Sequence, residues 1–117
     1  MAERESLVLH EARAALASAG VCWRNNTGVD VTRGIRYGLG VGGADLVAIV
    51  PVRVVCPCGQ TDATIGRFVG VEIKSPSGRL SIEQRLWGDA VMRAHGGYYV
   101  VRSGVNAVAV LEHARLP

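Results

Sequence analysis

The sequence predicts an α/β domain, a mixed β-sheet flanked by helices, with elements in the order α, β, β, β, α, β. Three observations carry this expectation. Leu9, Ala12, Leu16 and Ala19 recur at helical spacing close to the N-terminus. Two β-rich apolar runs, ADLVAIVPVRVV (44–55) and RFVGVEIK (67–74), flank a polar connection, as in an antiparallel hairpin. A segment with a serine cap at Ser81 runs to about His95, ends at Gly96-Gly97 and gives way to the strand-like YYVVR (98–102).

Taken in order, residues 3–19 form the first helix, closed by Gly20. Glu5 lies four residues before Leu9 and so falls on the apolar stripe, whereas Glu3 and Glu11 do not. A carboxylate there is either stabilised by the helix dipole or aimed into a site, and periodicity leaves both readings open. VCWRNNT (21–27) reads as a strand entering a loop. Residues 28–43, with six glycines, Arg33, Arg36 and Tyr37, read as a loop too long for a simple turn. The hairpin runs follow, the first interrupted at Pro51, with 56–66 as their connection. SPSGR (75–79) is a turn, the second helix follows, and VNAVAVL (105–111) closes the chain as a strand or a short helix.

A length of 117 residues predicts one domain spanning 1–117. A hydrophobic content of 49% and a mean hydropathy of +0.22 exclude disorder. At this size folding buries only about two-thirds of the chain's surface, so a partner subunit would help. No apolar run approaches the roughly 18–20 residues that cross a bilayer, and MAERESLVLHEARAAL lacks the apolar core of a signal peptide. A cytoplasmic protein with no membrane partner is the expectation. The three cysteines are an odd number, which argues against a disulfide framework. Cys56-Pro57-Cys58 has too tight a spacing, and no second pair, for a structural zinc site, so no structural zinc is expected.

A net charge of +3 and a pI near 9.1 suit a polyanionic partner. Twelve arginines stand against a single lysine, Lys74. Base composition accounts for such a bias, and so does the fit of the guanidinium fork to phosphate. On 67–74 the pleat places Phe68, Gly70, Glu72 and Lys74 on one face and Val69, Val71 and Ile73 on the other. Glu72 and Lys74 are then either a surface ion pair on an edge strand or charges placed for chemistry on an apolar, central one. Asp45 opens the neighbouring run after Gly42-Gly43-Ala44, so hairpin pairing brings it toward Glu72. Two converging carboxylates repel unless a cation lies between them, and hard oxygen donors suit Mg²⁺ or Mn²⁺. Such an ion activates water and stabilises charge on a scissile phosphate, with Lys74 beside it.

These residues resemble the PD-(D/E)XK nuclease superfamily and, within it, the VRR-NUC (virus-type replication-repair nuclease) domains. The matching pieces are Glu5 in the first helix, WRNNTG (23–28), GGADL (42–46), EIK (72–74) followed by SPSGRLS (75–81), and Gln84 in the second helix. The resemblance implies a restriction-endonuclease-like αβββαβ core. It also implies metal ligation by Asp45, Glu72 and the Ile73 backbone carbonyl, with Glu5 acting through water or orienting its neighbours and Lys74 as the catalytic lysine. Gln84 would reach the site from the second helix. The implied activity is a Mg²⁺- or Mn²⁺-dependent deoxyribonuclease acting on branched DNA such as Holliday junctions, flaps or forks, often viral and homodimeric. A viral member would act inside its host cell. A non-catalytic DNA-binding or assembly domain of the same fold is the alternative. The proline that names the superfamily is Ala44 here, and the Cys56–Thr64 insertion has no implied role.

Ser81-x-x-Gln84 also fits a capping box, and this role is compatible with a site role for Gln84. Trp23 and Trp87 read as core or interface packing residues, with base stacking as the alternative, and His10, His95 and His113 as structural or surface ones. Arg24, Arg33, Arg36 and Arg79 are candidate DNA contacts, with solvated surface charge as the alternative.

Overall fold

The antiparallel hairpin is the spine of the computed structural model, which describes residues 3–59 and 62–117. Around it run α1 (Glu3–Ala17), β1 (Val21–Arg24), β2 (Gly28–Asp30), β3 (Ile35–Tyr37), β4 (Leu46–Val55), β5 (Asp62–Ile73), α2 (Ile82–Arg93), β6 (Gly97–Val101) and α3 (Gly104–Ala114). The main sheet has the order β1-β4-β5-β6, with β1, β4 and β5 antiparallel and β6 parallel to β5. β2 and β3 pair separately. With that small ribbon and α3 set aside, the element order is the expected α, β, β, β, α, β, and the sheet is mixed as expected.

The pleat of the hairpin explains the layers. Leu46, Ala48, Val50, Val69, Val71 and Ile73 point to one side and pack with Val8, Leu9, Ala12 and Leu16 of α1 and Ala107, Val110 and Ala114 of α3. Each fully buried Leu or Val contributes about 1.5–3 kcal/mol of transfer free energy, so this face holds the main core. α2 lies on the opposite face. There Gly70 leaves the sheet bare, and a β-carbon at this position would stand 2.7 Å from Cζ3 of Trp87. The indole fills that hollow between Phe68 and Tyr98, with ring centroids at 6.3 and 5.9 Å, and donates from Nε1 to the Leu39 carbonyl at 2.7 Å.

Three expectations are corrected, and the one left open between strand and helix is resolved. Most of the described part of the 56–66 connection is strand: β5 starts at Asp62, and β4 and β5 pair out to Val55↔Asp62 in a long arm. Gln60 and Thr61 of that connection lie outside the described residues. β4 runs unbroken through Pro51, because β1 ends opposite Ile49 and leaves one side of β4 without a partner strand at the proline. The long loop at 28–43 contains the β2–β3 ribbon. The closing segment is the helix α3, capped by the Ser103 side chain, which accepts from the Asn106 N–H. Among the described residues no helix is long and apolar enough to cross a membrane.

Candidate metal centre

Leu46 pairs with Val71 at the inner end of the hairpin, so continuing the register by one residue sets Asp45 opposite Glu72. The approach to Asp45 is held from three directions. Gly42 has φ +79°, and a β-carbon on it would lie 2.3 Å from the Glu83 carbonyl oxygen, so only glycine lets this loop pass the start of α2. Asn25 fixes the other side: its N–H donates to the Asp45 carbonyl at 2.8 Å and its Nδ2 to the Ala44 carbonyl at 2.9 Å. Its Oδ1 accepts from the Leu39 N–H at 3.2 Å. Oδ2 of Asp45 itself accepts from the Ile73 N–H at 2.7 Å, which locks the carboxylate against the neighbouring strand end.

Glu72 is 4% exposed, the only charged residue in the core of the described chain. Its Oε1 accepts from Gln84 Nε2 at 3.0 Å, while Oε2 is buried without a hydrogen-bond partner. Gln84 makes this contact from within a complete capping box. Its Oε1 accepts from the Ser81 N–H at 2.8 Å, and its N–H donates to the Ser81 hydroxyl at 3.1 Å. One amide therefore starts α2 and pins the buried carboxylate, so the capping and site placements coexist in one geometry.

Burial pushes the Glu72 carboxyl up to about 8, and the charge of Asp45 acts in the same direction; Lys74 opposes them. At neutral pH Glu72 accordingly keeps its proton. An unpartnered buried carboxylate oxygen costs about 1–3 kcal/mol, a cost that a divalent cation in place of the proton would remove. The donors present are hard oxygens at a half-open strand end, which fits Mg²⁺ or Mn²⁺.

Lys74 follows β5 directly and is half-buried, and its N–H donates to the Val101 carbonyl at 3.0 Å. Among the described residues its ammonium enters no ion pair; those pairs are Arg33–Asp30 and Arg53–Asp62. The turn after it is clamped by Arg102, whose Nη1 donates to the carbonyls of Ser75 at 2.7 Å and Gly78 at 2.6 Å. Arg102→Ala is expected to cost about 2 kcal/mol in urea unfolding, because two charge-assisted hydrogen bonds are lost at once.

The other candidates are placed as follows. Glu5 is half-buried on the α1 stripe. Ile73 buries its side chain in the core at the end of β5. Arg24 lines a polar cavity of about 480 Å³ with Asn25, Asn26, Thr27, Tyr37 and Asp45. Arg33 and Arg36 are exposed on the β2–β3 ribbon, and Arg79 is exposed in the clamped turn. Trp23 is exposed on β1, and His113 accepts from or donates to the Tyr99 hydroxyl at 2.8 Å. Asn25, as the brace of Asp45, and Arg102, as the clamp behind Lys74, are contributors that spacing alone does not single out.

Comparison of the chain with protein-family models, with curated proteins and with solved structures finds no match.

Proposed function

We propose that the chain is a Mg²⁺- or Mn²⁺-dependent DNA endonuclease of the VRR-NUC kind, with a restriction-endonuclease-like core, that hydrolyses phosphodiester bonds in branched DNA. The observation that carries this reading is the pairing of Asp45 with a buried, half-unpartnered Glu72 at a strand end, two residues before the only lysine of the chain. Asp45, Glu72 and the Ile73 carbonyl would hold the cation, with Glu5 acting through water or orienting its neighbours. When bound, such an ion lowers the pKa of a water and stabilises charge on the phosphate. Gln84 keeps Glu72 aimed at the site. Lys74 sets a positive charge where negative charge grows on the phosphate oxygens. Arg24 beside Asp45, and Arg33, Arg36 and Arg79 on the flanking ribbon and turn, contact the DNA backbone. In a homodimer two such sites would nick a four-way junction on both strands.

The test is a cleavage panel on single-stranded, duplex, flap, fork and four-way DNA, with Mn²⁺, Mg²⁺ or EDTA. The expected result is cleavage of branched substrates that EDTA abolishes. Intact substrates throughout, with salt-sensitive binding that ignores EDTA, would mark a non-catalytic DNA-binding domain instead.

A further inference from the structure

Among the described residues two buried side-chain polar atoms lack a hydrogen-bond partner, Glu72 Oε2 and the Tyr98 hydroxyl. They belong to neighbouring strands. In the parallel pairing of β5 with β6, Tyr98 stands beside Gly70 and Val100 beside Glu72, so the phenol and the carboxylate share the α2-facing side of the sheet two residues apart. The ring has little freedom. A β-carbon at Gly88 would lie 2.6 Å from Cδ2 and Cε2 of Tyr98, and the indole of Trp87 closes the next side. The hydroxyl is therefore held, without a partner, by packing that leaves room for nothing larger than glycine on the helix above. Buried polar groups in folded proteins are paired with protein or with ordered water, and two adjacent exceptions point to one missing bridge.

We propose that Tyr98 is a positioning residue of the carboxylate site, its hydroxyl holding a water between the phenol and the Asp45–Glu72 pair. This rests on the reading of that pair as a divalent-cation site. Burial, then the charges of Glu72 and Asp45, push the phenol up to about 12, so it keeps its proton and acts as a hydrogen-bond donor and acceptor across the working range. A water fixed in this way is oriented before substrate arrives, which is the role that outer-shell partners of metal ligands commonly fill.

The experiment compares Tyr98→Phe, Glu72→Gln and the unaltered protein in three measurements: Mn²⁺ affinity by electron paramagnetic resonance titration, metal-free melting temperature, and kcat and KM on a branched DNA. Tyr98→Phe removes only the oxygen. It should weaken Mn²⁺ binding and lower kcat by about tenfold each, leave KM unchanged, and lower the metal-free melting temperature, since the bridging water loses a partner. Unchanged Mn²⁺ affinity and kcat in Tyr98→Phe, with binding abolished in Glu72→Gln, would overturn the role of Tyr98 alone. A metal-free melting temperature that is unchanged or higher would overturn it too, because the hydroxyl would then hold no bridging water. Mn²⁺ binding that survives Glu72→Gln would sink the cation site on which both readings stand.

Discussion

Lys74→Ala should lower kcat on a branched DNA substrate by about 10²–10³-fold, the usual effect of removing one group aimed at developing charge. The fold should tolerate the change. The lysine is half-buried beyond the last residue of β5, its structural contact is through the backbone N–H, and its ammonium serves no ion pair among the described residues. Truncation therefore strands no buried partner, and circular dichroism and the melting temperature should stay near those of the unaltered protein. Lys74→Arg should rescue poorly, since a planar fork on a longer stem does not reproduce a compact ammonium. Single-turnover kinetics with saturating Mn²⁺ isolates the chemical step. Retention of full activity by Lys74→Ala would end the nuclease reading of the strand.

Glu72→Gln should move stability and activity in opposite directions. In the metal-free protein Glu72 is an acid whose folded-state pKa, about 8, lies above its ordinary value of 4.5. Its contribution to stability is then complete below pH 4.5 and fades as pH rises toward 8, because the folded state must surrender a proton that the unfolded chain has already lost. Metal-free protein should accordingly melt at a lower temperature at pH 8.5 than at pH 5.5, and Mn²⁺ should close the gap by replacing the proton. In Glu72→Gln the amide nitrogen takes the place of the unpartnered oxygen and donates to Asp45, while its carbonyl still accepts from Gln84. A gain of about 1–2 kcal/mol at pH 8.5, roughly 5–10 °C in Tm, is expected. Cleavage should fall by about 10³-fold with the loss of a ligand charge. Thermal melts across pH with and without Mn²⁺ check both signs, and a variant less stable than its parent at pH 8.5 would contradict the account.

Much of this geometry was legible in the sequence. The two-residue period of 67–74 separated Glu72 and Lys74 from Val69, Val71 and Ile73, and the structure buries the second set in the core as expected. Ser81 and Gln84 announced the start of α2, and the capping box is complete. Asp45 was legible as a strand opener, and the register brings it to Glu72. What escaped the sequence lacked a burial pattern to read. Residues 62–66 are exposed, so the distal part of β5 shows no apolar alternation. β2 and β3 are three residues each and pair only with each other, away from the core. VNAVAVL fits two periods, and only packing selects the helical one that buries Ala107, Val110 and Ala114 against α1. Tyr98 looks like any aromatic in a strand until the parallel register sets it beside Gly70, because its neighbours come from two other elements.

The long β4–β5 arm has a consequence for how such a chain can vary. Its ladder is also the vernier that brings position 45 level with position 72. Trimming the outer rungs in matched pairs, one residue from each strand, shortens the arm and leaves the inner alignment untouched. Deleting one residue from a single strand inside the ladder offsets every rung toward the base, turns alternate side chains to the wrong side of the sheet and separates the two acids. Length at the tip is therefore free to drift, while parity along the arm is not.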